Sequence, residues 1–92
     1  MNIRNIKLEL TVALMNEPST INHVGKVKEL MQDFQGQVGN FRGAEIVSDT
    51  DLDDDHSLQT MALAYDNCVV NIDLVTNNTT RMVYVNRFDL AA

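Results

Sequence analysis

The sequence predicts an α+β domain: a single sheet of about five strands with a β-α-β opening followed by a mostly antiparallel meander (β-α-β-β-β), and one helix packed on one face. Three observations carry this prediction. Apolar residues alternate strictly over residues 6–14. They then recur at three- and four-residue spacing over 21–34. Three further alternating runs follow, separated by dipeptides with turn chemistry.

Residues 6–14 (IKLELTVAL) place Ile6, Leu8, Leu10, Val12 and Leu14 at one parity and Lys7, Glu9, Thr11 and Ala13 at the other. That period of two predicts a half-buried strand. Asn16-Glu17-Pro18 ends it, because proline lacks a ladder donor and fixes φ. Ser19 or Thr20 supplies an N-cap, and Ile21, Val24, Val27, Leu30, Met31 and Phe34 then form the apolar stripe of a helix. Gly36 is the expected helix stop, with Gly39 and Gly43 loosening the chain beyond it.

Residues 44–48 (AEIVS) predict a short second strand, followed by an acidic loop DTDLDDDHS. In the strand at 58–65, Met61, Leu63 and Tyr65 face one way and Thr60, Ala62 and Ala64 the other. Asp66-Asn67 turns the chain into a strand at 68–75, where Cys68 alternates with Val70 and Ile72 and so packs as a small hydrophobe. Asn77-Asn78 turns it again into a strand over 80–88. Within that last run, Met82 to Val85 is apolar at both parities, which predicts burial on both sides. One helix cannot cover five strands. The back face therefore predicts an oligomer interface through Ala62, Ala64, Val83 and Val85, and a homodimer as one reading of the protein.

Length and composition limit what else the chain can be. Ninety-two residues make one domain, residues 1–92, and a hydrophobic share of 45% argues for a folded core. Cys68 is the single cysteine, so no intrachain disulfide forms, which fits a reducing compartment. Arg4, Lys7 and Glu9 interrupt the opening segment, which does not read as a signal peptide, and no run reaches membrane-spanning length. A cytoplasmic protein is expected, with no membrane partner.

Charge is the most informative property. The net charge is −6, yet residues 44–80 contain eight of the 13 acidic residues and no lysine or arginine. Such a field repels phosphate backbones, so direct nucleic-acid binding is disfavoured and a basic protein surface is the expected partner. Asp49, Asp51, Asp53, Asp54, Asp55, Asp66 and Asp73 are the candidate partner-binding residues. If the partner normally binds DNA or RNA, the chain would act as an inhibitor that mimics nucleic-acid charge, by analogy with small acidic proteins of phages and mobile elements. A solvated acidic loop is the plainer reading of the same residues.

Other chemistries find little support. Asp49-x-Asp51-x-Asp53 has the alternation of a calcium loop, but Asp54 stands where glycine is required and Thr60 where the bidentate glutamate belongs. His23 and His56 lack zinc-ligand spacing and read as surface residues. Cys68 has no neighbouring base, and no nucleophile elbow or phosphate-binding glycine loop occurs. The expectation is a non-catalytic protein without metal or cofactor; a small enzyme of unrecognised type ranks last.

Overall fold

The computed structural model describes residues 2–15 and 23–91. Three helices, α1 (Ile3–Met15), α2 (His23–Gln32) and α3 (Gln35–Val38), precede four strands, β1 (Phe41–Asp51), β2 (His56–Tyr65), β3 (Val69–Asn77) and β4 (Val83–Ala91). The strands form one antiparallel sheet in the order β1-β2-β3-β4. The class is α+β as expected, but among the described residues the strands number four rather than five, and no β-α-β crossover is found. The proline turn at 16–18, the caps Ser19 and Thr20, and Ile21 lie outside the described residues.

The segment read as the first strand is helix α1. Its sequence carries two periods at once. Alternation groups Leu8 with Leu10 and Val12, whereas helical spacing groups Ile3, Ile6, Leu10 and Leu14. Ile6 and Leu10 are 0% exposed and Leu14 2%, while Leu8 and Val12 remain 61% and 58% exposed, so the helical period wins. Local chemistry agrees. Asn2 Oδ1 accepts the backbone N–H of Asn5 at 3.1 Å, as an N-cap does, and thirteen residues exceed the usual strand length.

Helix α2 follows its predicted stripe, burying Val27 and Met31 and half-burying Val24 and Leu30. It also buries His23 (4% exposed), which the sequence placed on the surface. The ring Nε2 lies 3.1 Å from the carbonyl oxygen of Val83, so Nε2 holds the proton and donates it, tying α2 to β4. The helical stretch does not stop at Gly36. Gly36 lies within α3, and Gly39, at φ +84°, ends it by donating its N–H to Gln35 O at 2.9 Å.

Strand parity sorts the sheet into two faces. Met61, Leu63 and Tyr65 of β2 share the helix-facing side with Cys68, Val70, Ile72 and Leu74 and with Val83, Val85, Phe88 and Leu90 of β4. The opposite side carries half-buried Ala62, Ala64, Val69, Asn71 and Asp73 and buried Val75, and it is the open face in that the helices pack on the other side. Val83 and Val85 therefore belong to the core and its margin, not to the back face with Ala62 and Ala64. The 82–85 run is buried on one side alone: Val85 is 6% exposed, but Met82 and Tyr84 are each 42% exposed.

The helical layer is shorter than the sheet. The thirteen residues of α1 rise about 20 Å, whereas the eleven of β1 span about 36 Å. Strand β1 is exposed along its length except at half-buried Gly43, including Ala44, Ile46, Asp49 and Asp51 on the helix-facing side. The β1–β2 hairpin thus runs out beyond its cover.

Truncations on α1 separate helix from strand. Leu10→Ala should cost about 2–5 kcal/mol as a buried deletion, while Leu8→Ala should stay within about 0.5 kcal/mol. Urea denaturation of both variants reads the contrast; equal losses would contradict the helix.

Candidate functional site

The uncovered end of the hairpin holds the acidic residues. Asp49 and Asp51 close β1, opposite Gln59 and Ser57, and Leu52 to Asp55 form the connection to β2. This connection is built by its own side chains. Asp53 Oδ1 accepts the backbone N–H groups of Asp55 and His56, both at 2.8 Å, and lies 2.9 Å from His56 Nδ1. The hydrogen bond to the His56 ring, then that from Asp55 N–H, hold the Asp53 carboxyl below the ordinary carboxylate range.

The connection is also fastened to the neighbouring turn between β3 and β4. Asn78 N–H donates to Asp55 O at 2.6 Å, Thr79 Oγ1 lies 3.2 Å from Asp55 Oδ1, and Ser57 Oγ lies 3.4 Å from Asn78 Oδ1. Asn77 organises that second turn by accepting the N–H groups of Thr79 and Thr80 at 3.0 and 3.1 Å. Two turns thus brace each other at one end of the sheet. Asp49, Asp51, Asp54 and Asp55 are exposed there, and among the described residues no lysine or arginine lies within ion-pair distance of them.

Two residues grouped with this patch by sequence lie elsewhere. Asp66 occupies the β2–β3 turn at the opposite end of the hairpin, where its carboxylate accepts Asn40 N–H at 2.8 Å and pairs with Arg42. Asn40 N–H and then Arg42 hold its carboxyl below the ordinary range. Asp66 N–H donates to Asn40 O and Asn67 N–H to Val38 O, so this turn clamps the link between α3 and β1. Asp73 sits mid-strand on the open face, accepting Thr60 Oγ1 at 2.7 Å and facing Arg87 Nε at 3.5 Å. Both are structural carboxylates. The seven-residue patch contracts to five, with Asp53 shaping the turn and the other four presented outward.

The open face carries a shallow depression of about 320 Å³ lined by Gly43, Ala44, Glu45, Ala62, Ala64 and Val69. Ala62 and Ala64 meet there; Val83 and Val85 do not. A smaller cavity of about 130 Å³ lies between α2 and the start of the hairpin, lined by Lys28, Gln32, Gln35, Asn40 and Tyr65 among others. Cys68 is buried, and that burial pushes its thiol up, away from a reactive thiolate. Among the described residues, no group of three His, Cys, Asp or Glu side chains is placed to hold a metal, and no helix is long and apolar enough to cross a membrane.

Sequence reasoning missed Lys28, whose ammonium lies 4.6 Å from the centroid of the Phe41 ring, and Phe41 itself, which packs edge-on against Tyr65 at 5.4 Å. No local pattern announces either contact, since each joins elements remote in the chain. Comparison with known proteins adds no further constraint: no family model, curated protein or solved structure matches the chain.

Asp66 makes the turn geometry testable. Its folded pKa is depressed, so its stabilisation is present above an unfolded value of about 3.9 and is lost as pH falls from there through the folded value. The gap in melting temperature between wild type and Asp66→Asn should be constant at neutral pH and close in acid. At Gly39, an added Cβ would meet Asp66 Oδ2 at 2.6 Å, on a backbone that disfavours side chains. Gly39→Ala should therefore cost more than about 1 kcal/mol, read by urea denaturation.

Proposed function

We propose that this chain is a non-catalytic acidic binding module that docks the β1–β2 turn end onto a basic surface of a partner protein. One observation carries the reading: Asp54 and Asp55 on the turn, with Asp49 and Asp51 at the end of β1 leading into it, are exposed carboxylates beside a turn held in place by Asp53, His56 and the Asn77–Asn78 turn. A braced turn loses less conformational freedom on binding than a mobile loop, so more of its electrostatic attraction survives as affinity. A focused negative field also steers a cationic partner and repels phosphate backbones.

A surface that accepts this turn is one that can accept phosphates. Occluding a nucleic-acid-binding surface is thus the natural consequence of docking, and inhibition by charge mimicry is the specific form we favour. The partner is a cytoplasmic protein in this reading. Asp66 and Asp73, committed to Arg42 and Arg87, contribute only to the background field.

The test neutralises the four outward carboxylates together, Asp49, Asp51, Asp54 and Asp55 to asparagine, and leaves Asp53 to preserve the turn. Wild type and variant serve as baits in extracts of the native host at low and high salt. Basic proteins should be retained by the wild type at low salt, released at high salt, and retained about tenfold less by the variant. Equal retention by both baits removes the charge mechanism.

A further inference from the structure

The sheet has two outer edges, and they are guarded differently. Along β4, helix α1 packs close by, and Lys7 Nζ reaches to 3.9 Å from Asp89 Oδ1. Edge β1 has no such cover. Its eleven residues contain no lysine or proline, and Phe41, Ile46 and Val47 are 38%, 56% and 59% exposed. An uncovered strand with exposed apolar side chains is a template for another strand.

Charge along β1 and its surroundings is polar from end to end. At the start, the Lys28 ammonium sits over Phe41, and among the described residues no carboxylate lies within ion-pair distance of it. At the finish stand Asp49 and Asp51. An antiparallel strand of the same sequence meets this gradient in the complementary sense, start against finish. A second copy therefore satisfies the edge twice over, by symmetry.

Register follows from side-chain phase. Pairing with β2 slips between Phe41 and Gly43 and again between Ile46 and Ser48, which leaves Phe41, Ala44, Ile46, Asp49 and Asp51 on the helix-facing side. A two-fold axis through Ile46 sets Ile46 beside its own mate and Phe41 opposite Asp51 of the second copy, all on that side. Lys28, above Phe41, then faces Asp51 of the second copy at both ends of the joint. We propose that the chain self-associates through β1 in this register, forming a continuous eight-stranded sheet with both helical layers on one face and reciprocal Lys28–Asp51 ion pairs. This interface shares Asp51 with the acidic docking end, but Ile46 and Lys28 lie outside that end, so Ile46→Lys and Lys28→Glu test the self-association separately from the docking.

Sedimentation equilibrium of the purified chain, from about 10 μM to about 1 mM, reads the association. A species of twice the 10.3 kDa chain mass is expected. Ile46→Lys, at an exposed position that leaves folding intact, should weaken it by about tenfold or more. Lys28→Glu and Asp51→Lys should each weaken it by about tenfold, and an equimolar mixture of the two, or the double variant, should recover most of that loss. A chain that stays monomeric throughout overturns the proposal. So does a dimer indifferent to Ile46→Lys, or one in which the charge exchange restores nothing.

Discussion

The architecture rests on one apolar contact with limited reach. Ile6, Leu10 and Leu14 of α1 and Val27 and Met31 of α2 form a core with the inward side chains of β2, β3 and β4. Two short helices can cover about three strands, and the fourth strand added at the far edge lies outside their shadow. Strand β1 is held almost wholly by its hydrogen-bonded pairing with β2. Exposure of the acidic end and vulnerability of the β1 edge are consequences of the same shortfall.

The aspartates illustrate how identical side chains divide their labour according to what faces them. Asp53 spends its lone pairs on backbone N–H groups and the His56 ring, so it defines a turn. Asp66 does the same for the α3–β1 link with help from Arg42. Asp73 completes a Thr60–Arg87 contact across three strands. Charge that is hydrogen-bonded in this way is only partly available to a visitor. Asp49, Asp51 and Asp54 keep theirs, and Asp55 yields one lone pair to Thr79, because among the described residues no lysine or arginine lies within ion-pair distance of them.

How much of this was legible depended on whether the deciding interaction was local. Strands β2, β3 and β4 were readable because one buried face forces alternation, and because Asp66-Asn67 and Asn77-Asn78 carry turn chemistry in the residues themselves. Helix α2 was readable from its stripe. Helix α1 was misread because Leu8 and Val12, which complete the alternation, turn out to be solvent-facing. Asn2 was the available signal, as a capping residue just before the run. Strand β1 was seen only at its middle: exposed on both faces, it is under no pressure to alternate, and its two slips erase the period further. The fates of Asp66 and Asp73 were out of reach, since Arg42 lies 24 residues from the former and Arg87 belongs to another strand.

The order of elements along the chain carries a consequence for how the molecule forms. Every strand pairs with its sequence neighbour through a connection of a few residues, so the sheet can zip with little loop-closure entropy. The helices come first yet must await the last strand, as the 60-residue separation between His23 and Val83 makes plain. During synthesis the amphipathic helices leave the ribosome with no counterface to settle on. Their apolar stripes are not fully covered until β4 emerges, and that interval is when the nascent chain is most exposed to chaperones and to aggregation.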